Sequence, residues 1–378
     1  MRRFASLIAI TIFLTTIFAL LFTPACSKKQ RETKEIKIGA TLPLSGDAAV
    51  WGNNTKEGID LAVEQVNSGG GVLSRKIVVV YEDTEALPQK GVNAYQKLVQ
   101  VDKVTAIIDD SISSVTLAMA PLAQKDHVVI LATGATAPKI SDAGEYIFRI
   151  WNSDAYEGQV AAEYEFNALG LRDVAILYIN NDYGKGLDDV FSTQFKKLGG
   201  KIVSSQSFEQ NSTDMRSQLT KIQATNPAGL YLVGYPKEIP VALVQAKELG
   251  ITTKLIGTVA MQDPKLIENA REAVEGLMFP YPKDPTGKEV EAFKASFKKK
   301  YGKDPGITSD VGYDAVKMIA KAVELSGGNS GEDIRRGLNI LKDFPGASGV
   351  MTFDEKGDVH KLLGMKIIKN GKFVWIEE

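Results

Sequence analysis

Cysteine and histidine are nearly missing from this 378-residue chain, which has one cysteine, Cys26, and two histidines, His127 and His360. A single cysteine excludes an internal disulfide. The histidines lie far apart, in no metal-ligand spacing, so packing or surface roles are expected of both and no metal site is expected. No G-x-S-x-G elbow, phosphate-binding G-x-x-x-x-G-K-[ST] loop or G-x-G-x-x-G turn occurs. Neither sign of charge dominates, with 45 basic against 46 acidic residues. That balance argues against a broad nucleic-acid surface, and no nucleic-acid partner is expected. Beyond the N-terminus, no apolar run is long enough to span a bilayer.

What is present begins with an export signal. Arg2 and Arg3 precede an apolar run from Phe4 to Phe22, followed by "TPAC". Residues 1–25 read as a signal peptide and 26–35 as a charged tether. The junction resembles a bacterial lipobox with Cys26 as the lipidated residue, although Thr23 stands where that motif usually has Leu. Plain cleavage after Ala25 and an uncleaved anchor are the alternatives. In every case the remainder is exported, to the periplasm or the outer face of the cell membrane. Lipid on Cys26 would hold it there.

From residue 36, strand and helix signals alternate. "EIKIGATLPL", "KIVVVYED", "VTAIID" and "VVILAT" read as strands. Between them lie helical patterns such as "NTKEGIDLAVEQVN", with Ile59, Ala62, Val63 and Val66 on one face. The grammar restarts at "VAILYIN", residue 174. With 44% hydrophobic residues, the chain is long enough for two α/β lobes, each a parallel sheet with helices on both faces. The tail "VMTFDEKGDVHKLLGMKIIKNGKFVWIEE" reads as a hairpin region with turns at Lys356-Gly357 and Asn370-Gly371.

Two hydroxyl-rich turns follow strands, "DDSISSVT" at 109–116 and "LATGATAP" at 131–138. In open α/β sheets, ligands bind beyond the carboxyl ends of the strands. Helix N-termini there present unpaired N–H groups. The two turns together suit a carboxylate. Simple helix capping by Ser113 or Thr116 is the alternative.

The same turns sit in a longer pattern. "IKIGATLPLSGDAAVWGNNTKEGIDLAVEQVNSGGGV", "ILATGATAP", "NDYGKGL", "VGYDAV" and "FDEKGD", in this order, resemble the branched-chain amino-acid-binding (Leu/Ile/Val-binding) proteins of ATP-driven importers. The resemblance implies a type I periplasmic-binding-protein fold, with two lobes joined by three crossings near 154, 283 and 347. Lobe 1 would comprise 36–154 and 284–347, and lobe 2 155–283 and 348–378. It implies no cofactor and no catalysis. The expected partners are ABC permease and ATPase subunits and a small amino acid or related carboxylate, bound by a monomer.

Carried over residue by residue, Ser113 and Thr136 match the hydroxyls that bind the ligand carboxylate. Trp51 matches an aromatic wall of the cleft. Tyr183 and Tyr235 match second-lobe tyrosines that close over the ligand. Asp154 matches an acid common at the first crossing, serving hinge or ligand. One position departs. Val259 stands where the family places a glutamate for the ligand ammonium. Either Asp263, Asp154 or another acid substitutes, or the ligand is an amine-free aromatic or aliphatic carboxylate. A binding protein that signals to a membrane receptor remains the functional alternative. An enzyme on the same scaffold lacks a visible nucleophile–base or metal constellation.

Overall fold

The computed structural model describes residues 35–46, 48–109 and 111–377. The signal peptide, Cys26 and the tether up to Lys34 lie outside the described residues.

Side-chain alternation builds the first sheet. In β1 (Glu35–Leu42), Ile36, Ile38, Ala40 and Leu42 all enter one buried cluster, as a period of two requires. The chain continues through α1 (Ala49–Ser68), β2 (Lys76–Asp83), α2 (Pro88–Lys97) and β3 (Ala106–Asp109). It then runs through α3 (Ser113–Asp126), β4 (Val129–Ala132) and β5 (Ile147–Arg149). The strands pair in parallel in the order β2-β1-β3-β4-β5. Ile107 and Ile130 feed one core while Ala106, Ile108, Val129 and Leu131 feed the other. Apolar burial on both faces is what a parallel sheet between helices demands.

A second sheet repeats the winding. It is built from α4 (Asp154–Glu163), β6 (Asp173–Ile179), α5 (Asp182–Lys197), β7 (Lys201–Phe208) and α6 (Arg216–Gln223). It continues through β8 (Gly229–Val233), α7 (Glu238–Glu248), β9 (Lys254–Ile256), α8 (Pro264–Ala270) and β10 (Met278–Pro282). Its parallel part runs β7-β6-β8-β9-β10.

The chain then returns to the first lobe. α9 (Lys288–Tyr301), α10 (Ser309–Ser326), α11 (Gly331–Ile340), β11 (Phe344–Gly346) and β12 (Gly349–Met351) follow in order. Val311, Ile319, Ile334 and Leu338 join the core beneath β1. α10 meets α1 backbone to backbone. A Cβ on Gly58 would stand 1.9 Å from the Ser309 carbonyl oxygen, and one on Gly312 would stand 2.4 Å from that of Thr55. Finally β13 (Leu363–Lys369) extends the second sheet antiparallel to β10, and β14 (Lys372–Trp375) pairs antiparallel with β13.

The third crossing lies later than the sequence expectation of 347. Met351, Phe353 and Val359 are buried in the first lobe's core, and Phe353 meets Phe148 edge-on at 5.1 Å. Apolar burial therefore holds residues 348–359 on lobe 1, and the chain joins the second sheet at Leu363. For the same reason Lys356-Gly357 is a loop turn rather than a hairpin between strands. Arg149 N–H donates to the Gly357 carbonyl at 2.8 Å, which docks that loop on β5.

The crossings are laced together. Asn152 Nδ2 donates to the Lys361 carbonyl (2.8 Å) and Asn152 Oδ1 accepts from Lys361 N–H (2.7 Å). Lys283 N–H donates to the Leu362 carbonyl at 2.9 Å.

The glycine contact yields a stability prediction. Gly312→Ala should cost about 1–3 kcal/mol through overpacking. In urea melts the midpoint should fall, whereas an unchanged midpoint would mean that α1 and α10 separate freely.

Candidate functional site

Both sheets turn the carboxyl ends of their strands toward one cleft. In each, the strand order reverses beside the first strand, between β1 and β3 and between β6 and β8. Such switch points leave a crevice for ligands.

In lobe 1 the hydroxyls have separate duties. Thr41 Oγ1 donates to Asp109 Oδ1 (2.7 Å) and Thr116 Oγ1 to Asp109 Oδ2 (2.5 Å), tying β1, β3 and α3 together beneath the turn. Ser113 Oγ accepts from the backbone N–H groups of Thr136 (3.1 Å) and Ala137 (3.0 Å). Ser113 therefore joins the two hydroxyl-rich turns and is not among the cavity-lining residues; Ser111 is. A Cβ on Gly134 would stand 2.4 Å from Ser111 Oγ, so glycine lets the turns touch.

Arg149 holds the second turn from behind. Its guanidinium is fully buried. Nη1 donates to the carbonyls of Thr136 (2.8 Å) and Ala137 (3.0 Å), and Nη2 to Ser141 Oγ (2.8 Å). Nη2 also pairs with Asp358 Oδ1 at 2.7 Å.

Aromatic rings form the opposing wall. Asn181 caps α5 by accepting from Gly184 N–H (3.0 Å), and its Nδ2 donates to the Tyr235 hydroxyl (3.1 Å). Tyr183 and Tyr235 stack with centroids 5.6 Å apart. The Tyr183 hydroxyl shares a hydrogen bond with Thr258 Oγ1 at 2.8 Å. Trp51 crosses from lobe 1 to meet Tyr235 edge-on at 5.9 Å. Thr308, a β-branched residue at φ 72°, donates from Oγ1 to the Trp51 carbonyl at 3.1 Å. That left-handed conformation is strained for threonine and marks the support of the Trp51 wall.

These groups enclose a cavity of about 40 Å³. Trp51, Thr136, Tyr183, Tyr235 and Val259 line it, joined by Ser111, Trp151, Ile307 and Thr308. Four of the residues expected from the sequence are thus brought together: Trp51, Thr136, Tyr183 and Tyr235. Ser113 stands behind them.

The acids lie behind the wall or beside it. Asp154 begins α4 and is fully buried; its N–H donates to the Thr136 carbonyl at 2.8 Å. Its carboxylate lies near the Thr136 hydroxyl without reaching hydrogen-bond geometry. Burial pushes it up to about 7 despite that hydroxyl and the Arg149 charge. Glu157, also fully buried, accepts from Val259 N–H through Oε1 at 2.9 Å. Burial and then the Asp154 charge push it well above the usual carboxylate range.

Asp263 is placed differently. It caps α8 by accepting from Lys265 N–H (2.9 Å) and borders a second cavity of about 620 Å³ with Lys361, Lys366 and Asp310. The Trp51 indole nitrogen approaches its carboxylate without hydrogen-bond geometry.

Glu157 had a sequence signal, since three residues after Asp154 in a helix is the same face. Thr308 and Arg149 had none that distinguished them from ordinary loop and strand-end residues.

Arg149 supplies a prediction here. Arg149→Met strands a buried Asp358 carboxylate, which should cost about 3–5 kcal/mol. Denaturant melts should show that loss, and replacing Asp358 by Leu in the same chain should recover part of it. Wild-type stability of Arg149→Met would show that the pair holds nothing in place.

The family described as periplasmic binding protein matches residues 35–368. The leucine-, isoleucine-, valine-, threonine- and alanine-binding protein of Pseudomonas aeruginosa is 27% identical over 353 residues, covering 92% of this chain and 93% of its own. The leucine-binding protein LivK of Thermotoga maritima superposes with a TM-score of 0.85 at 31% identity, covering 90% of this chain and 98% of that one. The branched-chain amino acid transporter substrate-binding protein LivJ of Streptococcus pneumoniae, in complex with isoleucine, gives a TM-score of 0.81 at 26% identity, with coverage of 90% and 97%. With its paired switch-point sheets and matches of this extent, the chain belongs to the periplasmic binding protein family, as a type I member of its branched-chain amino-acid-binding group.

Proposed function

We propose that the chain is the extracytoplasmic, lipid-anchored substrate-binding protein of an ABC importer, capturing a small amino acid or related carboxylate between its lobes. The observation that carries this reading is the cavity shared by both lobes. Ser111 and Thr136 of one lobe and Tyr183 and Tyr235 of the other line the same space. The hydroxyls, with the N-terminus of α3, suit a carboxylate. The rings of Trp51, Tyr183 and Tyr235 suit an apolar side chain.

Trp51 against Tyr235 gives the reading a mechanism. A ligand touching both lobes binds the closed form better than the open one, and only such differential affinity shifts the equilibrium. The closed form is what a permease with its ATPase would recognise. No bond-making step is required, and the role proposed is binding as a monomer without a cofactor.

The test is a thermal-shift panel of small amino acids and carboxylates on refolded, ligand-free protein. A true ligand at a hundred times its dissociation constant should add about 2.7 kcal/mol, a rise of a few degrees for a chain of this size. Thr136→Val should weaken it about tenfold or more, as loss of a hydrogen bond to a charged group does. A flat panel would discard the carboxylate reading.

The anchor is supported by Cys26, the chain's sole cysteine, following an apolar export segment. Mass spectrometry of membrane-extracted protein should find Cys26 as the new N-terminus carrying two or three acyl chains, since one chain anchors only marginally. An unmodified N-terminus would remove the anchor.

A further inference from the structure

The cavity at the hydroxyl-rich turns does not stand alone. Trp151, Ile307 and Thr308 line it and also line the second cavity, whose volume of about 620 Å³ is of the size usual for ligand sites. The first, at about 40 Å³, has room for little more than a head group. The second cavity also lies between the lobes. Val50 and Asn54 of α1 and Asp310 of α10 border it from lobe 1, Gln262 and Lys265 from lobe 2, and Lys361 from the third crossing.

Its charge is positive. Five lysines line it against three aspartates, and two of those lysines are built into the wall. Lys366, only 6% exposed, holds its ammonium over the rings of Tyr281 (4.5 Å) and Trp375 (4.3 Å) and donates to Gln262 Oε1 at 3.2 Å. Lys361 stands against the shared wall. Its Nζ lies 5.3 Å from the centre of the Trp151 ring and donates to Ser348 Oγ at 3.0 Å. A lysine ammonium has three donors, and among the described residues each of these gives one hydrogen bond, to a neutral oxygen. The acids that act on them are engaged with other donors. Asp310 accepts from Val311 N–H (2.9 Å), Asp314 from the N–H groups of Ala347 (2.7 Å) and Ser348 (2.8 Å), and Asp284 from the Trp375 indole (2.9 Å). Burial holds both ammonium groups below the usual lysine range. A buried ammonium short of acceptors is costly, and an anion beside it offsets the cost.

Resting on the reading of the first cavity as a carboxylate site, we propose that the ligand is a dicarboxylate. One carboxylate sits at the turns of Ser111 and Thr136, and the second, carried past Trp151 and Thr308, sits in the cavity of Lys361 and Lys366. The link between the two cavities suits a methylene chain, since Trp151 and Ile307 offer apolar surface on both sides of it. The second carboxylate supplies the acceptors that the two ammonium groups lack, through charge-assisted hydrogen bonds. A ligand with an uncharged tail reaches the same space and leaves those donors unmet. Selectivity against plain aliphatic acids then follows from the charge left unpaired.

The experiment is calorimetric titration of the ligand-free mature chain, near neutral pH, with glutarate, adipate and pimelate, each beside the monocarboxylate of equal chain length. Glutamate and 2-aminoadipate are run beside norvaline and norleucine as the amino-acid pairs. At least one dicarboxylate should bind about tenfold or more tighter than its partner, as a hydrogen bond to a charged group allows. Lys361→Met should collapse that ratio, Lys366→Met should reduce it, and Lys361→Arg should keep part of it. Thermal melts run beside the titrations show which variants are folded, and the wild-type ratio stands without any of them. The inference is overturned if the monocarboxylates bind wild type as tightly as the dicarboxylates throughout. It is also overturned if the preference survives both lysine-to-methionine changes. In either case monocarboxylate binding that is weakened by Thr136→Val leaves the carboxylate reading of the cleft standing. Binding of neither class removes that reading, and the inference with it.

Discussion

Arg149 is the tie on which the cleft depends. A guanidinium with no exposed surface is stable only when its donors are met, and here Asp358, Ser141 and the carbonyls of Thr136 and Ala137 meet them. Those carbonyls belong to the hydroxyl-rich turn that lines the cavity. Asp358 belongs to the segment leading into the third crossing. One buried charge thus fixes the hydroxyl-rich turn, docks the 354–358 loop on β5 and lends a positive field to Asp154. Ser113 completes the clamp from the other side, accepting the N–H groups of the residues whose carbonyls Arg149 holds.

The cleft separates rigid from movable parts. Each lobe is a doubly wound sheet, and the strand ends that meet at the cavity are braced from within. Between the lobes run the edge contacts of Trp51 with Tyr235 and of Trp151 with Tyr281, the Lys139–Asp182 ion pair, and the hydrogen bonds that join Asn152 to Lys361 and Lys283 to Leu362 at the crossings. Such an arrangement suits a hinge, because the crossings bend together while the binding turns keep their shape. The strained Thr308 at the lobe edge supports Trp51, a ring that meets the second lobe at Tyr235.

Asp154 and Glu157 give the cleft its electrostatic character. They are held in a low-dielectric wall among tyrosine hydroxyls, where a carboxylate is costly and a proton or a ligand cation relieves it. Among the described residues, the cavity is lined elsewhere by hydroxyls and rings. Glu157 reaches from α4 to the end of β9, where it accepts from the Val259 N–H.

Apolar patterning, alternating at the start of "EIKIGATL" and continuous along "VAILYI", was enough to read both parallel sheets, because strands covered by helices on both faces are largely apolar and their connecting helices carry one apolar stripe. The sequence resemblance placed Trp51, Thr136, Tyr183 and Tyr235, and the structure puts all four on one cavity. Local pattern could not show that Ser113 is a tether, that Asp263 caps α8 beside a neighbouring cavity, or that residues 348–359 stay with the first lobe. Each of those depends on which distant backbone group or core comes within reach. Glu157 shows the division best. Its place on the inner face of α4 follows from helical spacing after Asp154. Its meeting with Val259, 102 positions along the chain, was decided only when two sheets folded and brought a helix of one crossing against a strand end, since hydrogen bonds and burial act through space and leave no mark on the local sequence.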